Sequence, residues 1–277
     1  MIPAAFDYVR AGSADEAVAL LGEHGDDAKL LAGGHSLLPL MKLRLASPAV
    51  LIDVGRLSDL SYIRDAGDHI AIGALTRHRD LERSGLLGET LPILAHVAGL
   101  VGDPQVRHRG TIGGSLAHAD PASDLPAVVL ALGGTLLARG PSGQREIAAA
   151  DFFRGFLESA LDADEMLTEI RVPKLDGERW SYQKFTRRAI DWAIVGVAVV
   201  HSDTGTGTGV ALVNMGPTPL RATAVEEALA AGAPPAGAAA MAGDGTEPPS
   251  DLNGGPDYRR HLARVLTGRA LAAAAGA

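Results

Sequence analysis

The sequence runs to 277 residues with a formal net charge of −8, 47% hydrophobic residues and only 4% aromatics, enough for one large domain or two ordinary ones with aliphatic cores. The negative balance disfavours a nucleic-acid partner, which needs a basic face, and no stretch approaches the length of a transmembrane segment. The absence of cysteine removes disulfides, thiol nucleophiles and cysteine-ligated iron–sulfur sites, so redox work on this chain needs an organic cofactor.

The first third alternates helix and strand. The start, Met1 to Asp7, lacks the basic and apolar regions of a signal peptide, which leads us to expect a cytoplasmic protein. Ser13 is an N-cap for the helix that follows, Glu16 completes a capping box, and Gly22 and Gly25 close the helix. Lys29 to Ala32 reads as a short strand entering the turn Gly33-Gly34-His35-Ser36. Leu37 to Leu45 is apolar with Lys42 and Arg44 interposed; Val50 to Val54 and His69 to Gly73 are strand patterns, predicting a small mixed sheet.

Leu75 to Gly102 is helical in pattern, with Thr76 as a cap and an apolar helix from Leu91 to Leu100. Asp103 to Arg107 leads into a second diglycine turn, Thr111-Ile112-Gly113-Gly114-Ser115. An apolar helix up to Leu132 follows, with Asp124 as its N-cap and Pro126 in its first turn. Strands are expected at 135–138 and 146–147, around the Pro141-Ser142-Gly143 turn, and at 169–173.

Composition turns polar from Lys174 to Glu178, which divides the chain into residues 1–177 (subdomains about 1–55 and 56–177) and 178–277. Three strands are expected beyond it, at 180–185, 193–201 and 210–215, the last two joined as a hairpin by the Thr204-to-Gly209 turn. A helix at 222–231, a mobile Pro/Gly/Ala linker at 232–251 and a helix at 257–275 complete the chain.

The two diglycine turns carry the chemical signal. Glycine lets backbone amides approach an anion with no Cβ in the way. Successive exposed amides form a nest suited to phosphate oxygens, so two such turns fit the two phosphates of a dinucleotide. For the first turn the alternative is a plain strand-to-helix connection. His35 reads as packed scaffold, as a phosphate donor or as an attachment point for a covalent flavin. Asp120 and Asp124 are suited to accept from ribose or ribityl hydroxyls; an Asx-turn and a helix cap are the alternatives. Arg107-His108-Arg109 is a solvated basic run or a charge balance for the ligand, and Trp192 is core or a stacking surface for a planar ring. GxGxxG, a Gly-Lys pair, HExxH and GxSxG are all missing, which disfavours a Rossmann fold, a P-loop and the common hydrolase motifs.

Ala32-Gly33-Gly34-His35-Ser36 and Thr111-Ile112-Gly113-Gly114-Ser115, with Ala119-Asp120-Pro121-Ala122-Ser123-Asp124 downstream, resemble the FAD-binding medium (flavoprotein) subunit of molybdenum hydroxylases, the carbon monoxide dehydrogenase and xanthine dehydrogenase family. The likeness extends over the whole chain, including Ile2 to Tyr8, Leu43 to Ala46, Asp103 to Arg107 and Tyr182 to Val199. It implies an α+β fold: a two-subdomain FAD-binding domain of vanillyl-alcohol-oxidase (PCMH) type, then a C-terminal domain with a three-stranded antiparallel sheet and helices. FAD would be bound non-covalently, its diphosphate held by residues 32–36, with Leu37 beside them, and by residues 111–115. Asp124 matches a position near the ribityl and phosphate region, Leu167 and Lys184 match positions lining the flavin site, and Trp192 falls where an aromatic near the isoalloxazine is expected. Ser115 stands where asparagine is frequent, and Trp192 where tyrosine can occur.

The resemblance also implies a role: an oxidoreductase subunit, active only within its complex and without a catalytic acid or base of its own. A large molybdenum–pterin subunit would oxidise the substrate, [2Fe–2S] clusters of a small subunit would relay the electrons, and FAD here would pass them to an external acceptor. A dimer of heterotrimers is expected, cytoplasmic and peripheral at the inner face of the membrane through the complex. A non-catalytic nucleotide-binding or assembly module and a self-contained flavin oxidoreductase stand as the other readings. Carbon monoxide, a purine, an aldehyde and an N-heterocycle all remain open as the substrate of the complex.

Overall fold

The computed structural model describes residues 2–175, 179–202 and 207–276, so the middle of the expected domain boundary and part of the expected hairpin turn lie outside the described residues. The chain begins with β1 (Asp7–Arg10), α1 (Ala14–His24), β2 (Ala28–Leu31), α2 (Leu37–Lys42) and β3 (Val50–Asp53). The strands form a three-stranded parallel sheet with β3 between β1 and β2. Ser13 Oγ accepts from the Glu16 amide at 3.1 Å, as expected, whereas Glu16 Oε2 accepts from Gly12 at 2.7 Å, one residue before the cap. Gly22 lies inside α1, which ends at Gly25. β1 gave no apolar signal because its side chains are mostly exposed.

The next unit has β4 (Ile63–Asp65) and β5 (His69–Gly73), followed by α3 (His78–Glu82), α4 (Gly85–Thr90), α5 (Pro92–Gly99), α6 (Pro104–Arg109), α7 (Ile112–His118) and α8 (Asp124–Ala131). Then come β6 (Thr135–Gly140), β7 (Gly143–Ala148), α9 (Ala149–Phe152), the small hairpin of β8 (Phe153–Gly155) and β9 (Glu158–Ser159), and β10 (Met166–Pro173). The five-stranded sheet has the order β4-β5-β10-β6-β7. The helical pattern from Leu75 to Gly102 divides into three short helices, because Ser84 Oγ caps α4 at the Leu87 amide and Pro92 opens α5. Thr76 is no cap: its hydroxyl donates to the Tyr62 carbonyl at 2.9 Å and accepts from the Tyr62 amide at 3.0 Å.

The remainder comprises β11 (Trp180–Phe185), β12 (Val195–Ser202), β13 (Gly207–Val213), β14 (Leu220–Arg221), α10 (Thr223–Ala230), α11 (Pro235–Ala239) and α12 (Pro256–Ala274). The expected three antiparallel strands are joined by a fourth, the two-residue β14. This sheet is buried on both faces, which explains its continuous apolar runs. Val195, Val197 and Val199, with Val210 and Leu212, face the core formed with α12. Ala198, Val200, Ala211 and Val213 face the core shared with α8 and the five-stranded sheet. Every residue of α8 is buried, as expected for a helix enclosed between two layers.

The segment 232–251, read as a mobile linker with little to pack, is instead built into the second core. Ala238, Ala239 and Ala242 bury against α12, and the Glu247 amide donates to the Met215 carbonyl at 3.1 Å. Alanine loses no side-chain rotamer freedom on burial, so a methyl-lined segment can pack closely at low entropic cost.

The C-terminal sheet meets α8 at a close backbone contact. A Cβ on Gly209 of β13 would overlap the Ala131 carbonyl at the end of α8 and lie 3.1 Å from Val200 Cγ2. Gly209→Val is expected to lower unfolding stability by about 1–3 kcal/mol, the usual cost of overpacking. Urea denaturation would read this as a lower midpoint with an unchanged slope.

Candidate functional site

The first bend connects the end of β2 at Leu31 to the start of α2 at Leu37. Two glycines make it possible. Gly34 adopts φ +75°, a left-handed conformation that a side chain would strain. At Gly33 a Cβ would overlap the Arg109 carbonyl oxygen and lie 2.9 Å from Gly110 Cα, so only glycine lets the bend rest on that backbone. Among the described residues, the amides of Gly33 to Leu37 have no hydrogen-bond acceptor within the chain. Five consecutive free donors fit the expected nest.

The second diglycine is not an open turn but the first turn of α7. Thr111 is its N-cap, with Oγ1 accepting from the Gly114 amide at 3.2 Å. The Ile112 amide donates to Thr76 O at 3.0 Å, the Gly113 amide to Ala74 O at 2.9 Å and the Ser115 amide to Thr111 O at 3.0 Å. Its amides are therefore engaged inside the fold. Its glycines serve packing: a Cβ at 113 would lie 2.5 Å from Ala74 Cβ and one at 114 would lie 2.8 Å from Thr111 Oγ1, with Ser115 following on the cavity wall. The expectation of two equivalent nests is corrected to one open nest facing one closed helical turn.

Both elements line a single cavity of about 670 Å³, within the range of small-molecule sites. Ala32, Gly33, Gly34, His35, Ser36 and Leu37 border it from one side, and Thr111, Gly113, Gly114 and Ser115 from the other. Asp124, Leu167, Lys184 and Trp192 reach it from three further parts of the chain. Leu167 does so beside a bulge in β10, between Leu167 and Glu169. Ile112 and Asp120 are not brought there. The Ile112 side chain is buried in the main core. Asp120 makes the Asx-turn, its Oδ1 accepting from the Ala122 amide at 2.9 Å, and it lines a separate cavity of about 710 Å³.

Asp124 is not a helix cap either. Ser123 occupies the cap position of α8 without a side-chain bond, and Asp124 is the first helical residue. Its carboxylate, only 7% exposed, accepts from Tyr182 Oη at 2.5 Å and from Lys184 Nζ at 2.8 Å. Lys184 Nζ also donates to the Leu100 carbonyl at 3.1 Å. Burial pushes Asp124 above the ordinary carboxylate range, against the pull of Lys184 and the Tyr182 hydroxyl; burial and the neighbouring carboxylate push Tyr182 well up. Tyr182 was missed as a site residue, yet it lies two residues before Lys184 in β11, and period-two alternation puts both on one face.

Trp192 is 61% exposed and borders both cavities, so it is not core. His78, also missed, is buried in the wall of the site cavity. Burial lowers it to about 4, with the His35 ring and Arg107 contributing, so its imidazole is neutral near pH 7. No sequence signal marks His78, because its setting depends on a backbone neighbour, Gly110, 32 residues away.

Residues 4–175 match the family model described as the FAD binding domain in molybdopterin dehydrogenase, and residues 180–274 match the CO dehydrogenase flavoprotein C-terminal domain. The chain is 44% identical to the carbon monoxide dehydrogenase medium chain of Hydrogenophaga pseudoflava, over 99% of this chain and 98% of that one. It is 38% identical to the glyceraldehyde dehydrogenase medium chain of Sulfolobus acidocaldarius, over 98% of each. Its backbone matches the structure of Hydrogenophaga pseudoflava carbon monoxide dehydrogenase lacking the Mo-pyranopterin moiety, with a TM-score of 0.96, 46% identity and coverage of 100% and 99%. The open nest at residues 33–37 and the Ser115 hydroxyl on the same cavity fit the diphosphate of FAD.

Lys184→Met leaves the buried Asp124 carboxylate without its cation and is expected to lower stability by about 3–5 kcal/mol at neutral pH. Tyr182→Phe removes one hydrogen bond to the same carboxylate and is expected to lower stability by about 1.5–3 kcal/mol. With Lys184 gone, the folded-state rise of Asp124 is larger, and the folded protein takes up a proton that the unfolded chain does not. The deficit of Lys184→Met therefore narrows as pH falls, which denaturant titrations at about pH 7 and about pH 5 will measure.

Proposed function

The chain belongs to the family of FAD-binding medium subunits of molybdopterin dehydrogenases, and from that premise we propose that it is the electron-transfer subunit of a molybdenum hydroxylase complex. On this reading a small subunit delivers electrons from its [2Fe–2S] clusters, a large subunit carries the molybdenum–pterin centre that oxidises the substrate, and an external acceptor takes the electrons from this chain. The assembly is a dimer of heterotrimers working in the cytoplasm, peripheral at the membrane through the complex. Among the described residues no helix is long and apolar enough to cross a membrane.

One observation carries the reading: among the described residues, the amides at 33–37 have no acceptor in the chain, and that bend lines one cavity together with the first turn of α7. Bound FAD supplies the ability to accept electrons singly and release them in pairs. The chain's share is to bind and orient it. In this assignment the amides of the first bend and the Ser115 hydroxyl hold the diphosphate. Lys184 Nζ and the remaining acceptor capacity of Asp124 serve the ribityl region. Leu167 contributes an apolar wall to the flavin site, and Trp192 offers an exposed ring to its planar face. The absence of cysteine agrees with this division of labour, since iron–sulfur ligation falls to a partner.

The full chain is expected to release FAD on mild denaturation, or to take it up when purified without it. Gly33→Val forces a side chain into the Arg109 backbone and should weaken FAD binding by roughly 10- to 100-fold, the equivalent of an overpacking cost, while leaving the C-terminal sheet folded. Reduction of the flavin by the organic substrate should require both partner subunits. A colourless chain that cannot be reconstituted with FAD, or turnover of that substrate by this chain alone, overturns the proposal.

A further inference from the structure

The crossing of the two bends has a third layer. Behind Gly110, on which Gly33 rests, stands the imidazole of His78. A Cβ on Gly110 would lie 2.7 Å from His78 Cδ2 and 2.8 Å from Nε2, so the missing side chain keeps that edge of the ring clear. The backbone here is pinned: the His78 amide donates to the Gly110 carbonyl at 3.0 Å, and Arg77 forms a bridge with Thr111. Only 4% of His78 is exposed, and its Nδ1 is fully enclosed without a hydrogen-bond partner. Among the described residues no partner is recorded for Nε2 either, and the residue borders the cavity.

A neutral imidazole carries one donor nitrogen and one acceptor nitrogen. An orphaned buried N–H is rarer in folded proteins than an orphaned acceptor, which puts the proton on Nε2, beside the cavity, and the bare lone pair on the enclosed Nδ1. The free donors around the crossing are then the amides of residues 33–37 and the Nε2–H of His78. His35 is exposed on the same cavity. Donors gathered in this way suit an oxygen-rich anion.

We propose that His78 is a cofactor-binding residue whose Nε2–H donates to the diphosphate of FAD where the two bends cross. This assignment rests on the FAD reading given above and adds to it a side chain from α3, an element outside both diglycine motifs. His78 does not titrate in this role; it acts as a fixed neutral donor, and Gly110 is the residue that leaves its edge accessible.

The test uses the full chain and its His78→Leu and His78→Gln variants, with FAD binding followed by flavin fluorescence and folding by urea denaturation. Leucine fills the space without a donor, and affinity should fall roughly 10- to 100-fold, the effect of removing a hydrogen bond to a charged group. Glutamine places an amide N–H near Nε2 and should stay within about threefold of the natural chain. In ¹⁵N-histidine-labelled natural protein, FAD should bring out a slowly exchanging Nε2 proton on one ring, a readout that survives even where the leucine variant does not fold. Unchanged affinity in a folded His78→Leu variant, or a His78 ring resonance that FAD leaves unmoved, overturns the assignment. Failure of the natural chain to bind FAD overturns the parent reading instead.

Discussion

The functional architecture depends on one backbone-to-backbone contact, in which Gly33 sits on the Arg109–Gly110 peptide. Any side chain at position 33 would overlap that carbonyl. The contact joins a bend of the small parallel sheet to the entry of α7, segments separated by more than seventy residues of chain. Interiors are close-packed, so such a contact does not stretch to accept a methyl group. It holds the first bend against the wall of the cavity, where, among the described residues, the amides of 33–37 have no acceptor in the chain.

The second constraint is α8, buried along its whole length between the two cores. A helix enclosed in this way has nowhere to place a charge, yet it begins with Asp124. The carboxylate is accommodated because β11 brings Tyr182 and Lys184 to it at hydrogen-bonding distance. A buried pair of this kind contributes little net stability compared with an apolar replacement, but breaking it is costly. Its effect is to fix where the C-terminal sheet sits on the first unit. That placement delivers Lys184 and the Ile190–Trp192 segment to a cavity otherwise lined by residues between 21 and 167.

On the proposed reading, these constraints divide the labour sensibly. Backbone groups of the first bend hold the cofactor, and the buried charges at the site, Asp124 and Lys184, are already paired, so those groups need little reorganisation when it binds. Trp192, exposed at the border of two cavities, presents an apolar surface there beside Ile190.

The sequence by itself determined the alternation of elements, the two diglycine motifs, the cap at Ser13, the family, and the strands of the two large sheets apart from the short β4 and β14. These are local signals: spacing, periodicity and glycine placement survive without a fold. It misread the Ala-rich stretch after Gly232 as a linker, because methyl groups carry no periodic signature, and it missed β1, whose face is mostly exposed. Tertiary structure alone decided that one diglycine is an open nest and the other a helical turn, since only the fold brings Ala74 and Thr76 to accept the amides of the second. It alone sent Asp120 to another cavity, paired Asp124 with Lys184 and buried His78 behind Gly110. Each of those outcomes turns on which donors find acceptors across distant chain segments, and that is settled only when the segments meet.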